Sequence, residues 1–504
     1  MEFHWDTERS WYAVRLAVVI AAAVGFGGLA GRQYGEFAVQ PDTTLAPASG
    51  GFSRGEPELI RLPSGAIVFS NTDAVLAKRE ELLAGGADFL YADLEAMTLT
   101  VYEGGEARRS FPLAAKGREG SFFETPNGIY YLQTKEANHF SSIGKVWMPW
   151  SMHFFGNYFI HGWPYYPGGT PVSEAFSGGC IRLTTDDAKI VFDRSRPGMP
   201  LLVAASADRP AADFAYFQKV GGQSSKPFPH TLSAAAVLAA DLETGQILFE
   251  KERSQVHPTA SVTKLMTGLV ALETINRFKL LTVTDAAVET FGDSAGFVAG
   301  EVFRSEDLLY PLILVSSNDA AAVYEAQGWR FVDTMNEKAN AIGLTRTHFA
   351  DASGMSSENV STAEDLFRLL RYISRHKKPL FTLSGLREHT LTSQGVRRVH
   401  HWTNLNWPNG DGRFVGGKSG FTRDALETIA GVFNIRFSEH GERPVAIVML
   451  GSRDRLREVK DLIAYLEGQF VYGATLTKGE LRPGAIPAGA NLYEAVRLLP
   501  IVGE

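Results

Sequence analysis

Two stretches of the chain hold residues suited to acyl transfer. The first reads Phe176-Ser177-Gly178-Gly179-Cys180-Ile181-Arg182-Leu183 and contains the sole cysteine. Glycines let backbone amides approach a reacting group, and a nearby cation favours the thiolate. A cysteine nucleophile also needs a base close in space. His161, in Phe159-Ile160-His161-Gly162-Trp163, ends a predicted strand 19 residues earlier, and a loop between the two brings both to one sheet edge. The residues alone leave open an inert buried cysteine and a satisfied structural histidine. The second stretch, Ser261-Val262-Thr263-Lys264, opens an apolar helical pattern. Residues three apart share one side of a helix, so Lys264 can take the Ser261 proton. That requires a partly neutral lysine, which burial and a neighbouring cation supply. Alone, the spacing also fits an ordinary surface turn.

Two further pieces follow in order. Ser316-Ser317-Asn318 comes after the apolar run Leu308–Val315, and Lys418-Ser419-Gly420 comes after Phe414-Val415-Gly416-Gly417. The succession Ser-x-x-Lys, Ser-x-Asn, Lys-Ser/Thr-Gly is that of the penicillin-recognising serine enzymes. Residues 232–472 resemble the serine D,D-peptidases among low-molecular-mass penicillin-binding proteins, with Asp241-Leu-Glu-Thr-Gly245, His257-Pro-Thr-Ala-Ser261, Met335-Asn-Glu-Lys338 and Asp351-Ala-Ser-Gly-Met355 in support. The resemblance implies that Ser261 is acylated and Lys264 is its base. It further implies that Ser316 relays protons, that Asn318 holds the substrate amide, and that Lys418 and Ser419, beside Gly420, grip the terminal carboxylate. Ser419 keeps the hydroxyl of the commoner threonine. Ser353–Ser361 is similar to the endopeptidase branch, so carboxypeptidase and endopeptidase both stand. β-Lactams are the implied covalent inhibitors.

The cysteine stretch, over about residues 85–205, resembles the L,D-transpeptidase catalytic domain. The likeness rests on the His-Gly pair, Ser-x-Gly-Cys with its trailing Ile-Arg-Leu, and Thr125-Pro126-Asn127-Gly128-Ile129-Tyr130 upstream. It implies that Cys180 attacks a carbonyl of a peptidoglycan stem peptide with His161 as base. Amides of Gly179 and Cys180 are then expected to stabilise the oxyanion, and Arg182 to shape the loop and its charge. Gly178 replaces the histidine that commonly follows the serine, which bears on the acceptor more than on the chemistry.

The elements that must position these residues are partly legible. Met97–Tyr102 and Ala107–Leu113 flank Glu103-Gly104-Gly105-Glu106 as a hairpin. Gly128–Thr134, Asn157–Gly162 and Pro200–Ala204 read as strands, and Thr184 with Asp187 starts a helix. The aromatics between Trp147 and Tyr166 read mostly as core plus a lid. Strands surround Glu243-Thr244-Gly245. Val262, Leu265, Met266, Leu269 and Val270 then follow an amphipathic helix template. Leu426–Phe433 and Pro444–Gly451 precede a helix over Arg453–Phe470. The expected fold class is multidomain: a mostly-β L,D-transpeptidase-like domain (57–205) and an α+β penicillin-binding/β-lactamase-like domain on an antiparallel sheet (232–473). An N-terminal hydrophobic helix (1–31), a tether (32–56), a linker (206–231) and a tail (474–504) complete the organisation.

With 504 residues, 45% hydrophobic and 21% charged, the chain is ordinary globular material of more than one domain. A net charge of −7 argues against a nucleic-acid partner. One cysteine excludes an internal disulfide and a thiolate zinc cluster, and without a His-Glu-x-x-His or calcium loop neither site is expected to need a metal or other cofactor. Leu16–Gly31 is 16 residues without a charge. It reads as an uncleaved membrane anchor in preference to a cleaved signal peptide, and either places the rest in the bacterial envelope, anchored to the inner membrane facing the periplasm or secreted into it. Gly412–Ser419 matches G-x-x-x-x-G-K-S, a phosphate-cradling loop, but lacks the strand before and the helix after. The expected function is a bifunctional peptidoglycan-remodelling enzyme. The rival readings are one silent domain serving as a wall-binding or regulatory module and, remotely, a nucleotide binder.

Overall fold

The computed structural model describes residues 58–474, apart from 63–66, 69, 174–176, 206–213, 221–227, 229–231, 329, 409–410 and 439–440. The expected apolar helix, the tether and the tail beyond 474 lie outside the described residues, among which no helix is long and apolar enough to cross a membrane.

Alternation along short strands builds the first domain. Its elements are β1 (Glu58–Arg61), α1 (Asn71–Ala84), β2 (Phe89–Asp93), β3 (Thr98–Glu103), β4 (Glu106–Pro112), β5 (Gly128–Tyr131), β6 (Thr134–Ser141), β7 (Val146–Phe155), β8 (Tyr158–His161), β9 (Ile181–Arg182), α2 (Thr185–Arg194) and β10 (Pro200–Ala204). One sheet has the order β4-β3-β2-β10-β5 and the other β6-β7-β8-β9. Leu90, Ala92, Leu99, Val101, Leu201 and Val203 face one way, into a core shared with Met152, Phe154, Ile160 and Ile181 of the second sheet. Their neighbours Phe89, Tyr102 and Leu202 face the other way, where Val75 of α1 covers them. The Thr184 side chain caps α2 by accepting from the Asp187 amide, as its spacing predicts.

The linker expected over 206–231 contains a strand. β11 (Phe214–Val220) pairs antiparallel with β1 (Leu59 opposite Lys219) and with the final strand, Phe470–Ala474 (Tyr216 opposite Tyr472). Polar flanks concealed the run Phe-Ala-Tyr-Phe. Burying Tyr216 with its hydroxyl on Asp241 Oδ2 (2.6 Å) ties it to the second domain.

In the second domain, β12 (Ala236–Asp241), β13 (Ile247–Lys251), β14 (Phe414–Thr422), β15 (Leu426–Ser438) and β16 (Gly441–Ser452) form an antiparallel sheet of order β13-β12-β16-β15-β14. Val237, Ala239, Ile429, Ile447 and Met449 pack beneath the last helix, Arg455–Gln469. Ala236, Leu238, Val432 and Val448 face the helices between the strands. Of these, α3 (Lys264–Thr274) is buried on every side: Lys264, Thr267, Gly268 and Glu273 are covered along with its apolar positions. The amphipathic expectation therefore fails, because the helix runs through the middle of the domain rather than along its surface.

Burying Glu273 requires partners. Its carboxylate lies 2.8 Å from Lys338 Nζ and 3.3 Å from Lys377 Nζ, and all three side chains are fully buried. Lys338 also donates to Tyr130 (3.0 Å) and Tyr372 (2.9 Å), and Lys377 to the Glu124 carbonyl (2.9 Å) and Tyr158 (3.4 Å). Tyr130, Tyr158 and Glu124 belong to the first domain, so the cluster joins the two. Removing one member of a buried ion group strands the others without solvent. Glu273→Ala is expected to lower unfolding stability by about 3–5 kcal/mol in urea titrations. Glu81→Ala, at the solvent-exposed pair with Lys78, is expected to stay within about 0.5 kcal/mol.

Candidate active sites

The serine site forms where three segments meet. Ser261 sits in a 3-10 turn, Ala260–Thr263, that leads directly into α3. Ala260 (φ 47°) and Ser316 (φ 61°) hold left-handed backbone without being glycine, a local strain that surrounding packing must sustain. Gly354 (φ +84°) brings its loop so near that a Cβ there would stand 2.0 Å from the Ala260 carbonyl oxygen. Gly420 is similarly constrained, since its Cβ would stand 2.6 Å from the Ser261 amide nitrogen.

Lys264 Nζ lies 2.9 Å from Ser261 Oγ, 2.7 Å from Asn318 Oδ1 and 2.6 Å from the Ser353 carbonyl oxygen. The last two are pure acceptors, so they take two N–H bonds and leave the third position on Ser261. When the amine is neutral, that position is a lone pair aimed at the serine hydroxyl. Burial pushes the lysine down to about 7, against the opposing charges of Asp293, Asp351 and Asp319. The neighbouring cation expected to assist does not account for it; that influence falls on Lys418, pushed well down by burial and then by Lys264.

Ser316 Oγ is buried and has no hydrogen-bond partner among the described residues, which leaves it available for a relay. Asn318 is engaged at both ends, accepting from Lys264 and donating to the Phe291 carbonyl (2.8 Å), so its immediate work is to orient the lysine. Lys418 and Ser419 lie within β14, where a phosphate loop cannot form. Lys418 Nζ donates to Asn406 Oδ1 (2.8 Å) and the Ser419 carbonyl (2.7 Å), and the Ser419 amide also donates to Asn406 Oδ1 (3.0 Å). The sequence motifs give no place to Asn406, and give Asp351 only as the start of the supporting run Asp351–Met355. Asp351 accepts from the amides of Ser353, Gly354 and Ser356, fixing the loop whose Ser353 carbonyl meets Lys264. The Asn-x-Asn spacing of 404–406 was the available signal.

The cysteine site depends on one short parallel pairing. β8 and β9 align Ile160 with Ile181 and His161 with Arg182. Ile160 and Ile181 point into the core. Alternation places His161 and Arg182 on the opposite face, and Cys180 immediately precedes the strand β9 that pairs with His161's. His161 Nδ1 lies 2.6 Å from the Gly162 carbonyl oxygen, which only accepts, so Nδ1 carries the proton and Nε2 the lone pair. Burial holds the imidazole down at about 4 and pushes the Cys180 thiol up to about 11; Arg182 opposes the latter. At neutral pH both partners are therefore uncharged. Arg182 is buried and stacks on Trp163, 5.1 Å from its centroid.

The Gly179 amide donates to Ser177 Oγ (3.2 Å), and Ser177 Oγ in turn donates to the Cys180 carbonyl, so the Gly179 amide is turned into its own loop. Gly179 adopts φ +108° against the Tyr158 ring, which stands 2.2 Å from where a Cβ would be. A Cβ at the exposed Gly178 would meet nothing within 4 Å, so that departure from the commoner histidine relieves no crowding.

Comparison with known proteins covers both halves. Residues 222–453 match the D-alanyl-D-alanine carboxypeptidase family model, and residues 87–203 match the L,D-transpeptidase catalytic domain model. A D-alanyl-D-alanine endopeptidase of Pseudomonas aeruginosa is 31% identical over 290 residues, covering 54% of this chain and 85% of the relative. The D-alanyl-D-alanine carboxypeptidase DacB2 of Mycobacterium tuberculosis is 28% identical, covering 42% and 73% respectively. A crystal structure of D-alanyl-D-alanine carboxypeptidase from Mycobacterium tuberculosis has a TM-score of 0.43 at 25% identity, covering 48% of this chain and 94% of that one.

Two outcomes follow from the geometry. Acylation of Ser261 by benzylpenicillin is expected to rise with pH through a single step near 7, as Lys264 loses its proton. Lys264→Arg, which stays charged, is expected to slow it by about 10²–10⁴-fold without moving the unfolding midpoint by more than a few degrees. For Cys180, alkylation by iodoacetamide is expected to be slow at pH 7 and still rising at pH 10; a plateau below pH 8 would contradict the buried neutral thiol.

Proposed function

We propose, for a chain that belongs to the D-alanyl-D-alanine carboxypeptidase family and carries an L,D-transpeptidase catalytic domain ahead of it, a bifunctional enzyme of peptidoglycan remodelling. The observation that carries the serine half is the Lys264 amine, dry and fixed by two acceptors with its remaining valence on Ser261 Oγ. Lys264 takes the hydroxyl proton, and Oγ bonds to the carbonyl carbon of a D-alanyl residue. The C–N bond to the following residue breaks, and the leaving amine collects a proton by way of Ser316. Water then releases the ester. A terminal D-alanine leaving makes the step a carboxypeptidase reaction; a cross-linked side chain leaving makes it an endopeptidase reaction. Lys418 and Ser419 supply an amine and a hydroxyl to hydrogen-bond the substrate's carboxylate.

In the cysteine half, His161 Nε2 accepts the Cys180 proton as sulfur bonds to a stem-peptide carbonyl. A thioester forms, the terminal residue departs with the proton, and an amine or water takes the acyl group. Because both groups rest neutral, attack and proton transfer proceed together rather than from a stored thiolate. The Cys180 amide is the donor we assign to the oxyanion, with Arg182 shaping the loop. Stem peptides are the shared substrate class, β-lactams the covalent inhibitors, and the bacterial envelope the location, with Leu16–Gly31 supporting attachment to or export across the inner membrane. Joining both sites on one chain raises their effective concentration at one substrate.

Mass spectrometry of defined muropeptides treated with wild type, Cys180→Ala and Ser261→Ala separates the two activities. Cys180→Ala is expected to lose only L,D-products and Ser261→Ala only D,D-products. Identical product sets from all three proteins would remove the proposal.

A further inference from the structure

The two nucleophiles are connected by a single helix. α3 begins at Lys264, beside Ser261, and ends at Thr274; its 11 residues span about 16 Å. The last carbonyls of a helix lack intrahelical donors and need partners. One partner comes from the other domain: Asn157, in the turn between β7 and β8, donates its Nδ2 to the Thr274 carbonyl (2.8 Å). The turn lies so close that a Cβ at Gly156 (φ +52°) would stand 2.9 Å from the Glu273 carbonyl oxygen. The backbone of the same turn wraps the thiol. Cys180 Sγ donates to the Asn157 carbonyl at 3.7 Å, and the Phe159 amide stabilises the thiolate form. Tyr158, between them, packs its ring on Gly179 and receives Lys377 Nζ on its hydroxyl.

We propose that Asn157 is a positioning residue for Cys180, and that the cysteine site is completed by the C-terminal turn of the serine domain's own catalytic helix. This rests on Cys180 being the nucleophile of the first domain. The helix end fixes the Asn157 amide, the amide fixes the turn, and the turn sets the thiol's acceptor and depth. The titratable and charged groups facing the thiol are His161 and Tyr158 from β8 and Arg182 from β9, with Lys377 and Glu273 behind Tyr158. Substituting Asn157 leaves all of them in place.

The test uses the full chain with Asn157→Ala and with Asn157→Asp, whose carboxylate opposes the Thr274 carbonyl. Three quantities are read: the pH profile of Cys180 alkylation, kcat and KM for L,D-transfer on a tetrapeptide donor, and Ser261 acylation by fluorescent penicillin. Asn157→Ala is expected to shift the alkylation profile at least one pH unit lower, because the loosened turn admits water to the thiol, and Asn157→Asp to shift it less, because its carboxylate disfavours the thiolate. They are also expected to lower kcat for L,D-transfer at least tenfold with KM within twofold. Penicillin labelling and the unfolding midpoint are expected to match wild type. The proposal is overturned by an alkylation profile superimposable on wild type, or by losses that track penicillin labelling and unfolding and so report a general defect. A wild type without L,D-activity would sink the reading of Cys180 as nucleophile, and the alkylation profile would still decide the positioning role.

Discussion

Helix α3 carries an ammonium at its first residue and a carboxylate near its last, and both are removed from water. A charge in such a place must lose its proton balance or gain partners, and the two ends take different routes. At Lys264 the neighbours are two neutral acceptors and a serine, so burial drives the amine toward its neutral form, the form in which it can accept a proton. At Glu273 two buried lysines pair with the carboxylate, one of them also bound to tyrosines, and the group serves structure. The same constraint thus yields chemistry at one end and domain assembly at the other.

The cysteine site obeys a related logic with opposite starting charges. Dry surroundings raise the thiol and lower the imidazole, so neither member of the pair is ionised at rest. A cysteine enzyme with an exposed thiolate gains reactivity toward any electrophile. Here the buried thiol rests protonated. In the proposed function, burial brings the Lys264 amine close to neutrality and keeps the Cys180–His161 pair uncharged.

Much of this is legible in the amino-acid sequence alone. Short continuous apolar runs, such as Pro200–Ala204, and capped starts, such as Thr184 before α2, fall where local rules place them. The fragments around Cys180, Ser261 and Asn318 sit at element starts, where backbone groups are free to serve a site, whereas Lys418 lies in the middle of β14. What escaped detection depends on contacts distant in sequence. β7 hid inside an aromatic run whose residues face both a core and a surface, so its period was blurred. Phe214–Val220 was masked by its polar flanks. Glu273, Lys338 and Lys377 look like solvated helix charges until the other domain's tyrosines close over them. Asn157 carries no local mark at all; its role exists only because a helix from 117 residues further along the chain ends beside it.

The claim on which the account turns is that one polypeptide makes two covalent intermediates at different atoms. Intact-mass analysis of protein quenched during turnover on mixed tetrapeptide and pentapeptide donors, followed by peptide mapping, reads this directly. The account predicts a thioester on the peptide containing Cys180 and an ester on the peptide containing Ser261, each abolished by alanine at its own site alone. Both acyl groups mapping to one residue, or an adduct persisting in the double alanine variant, would contradict it.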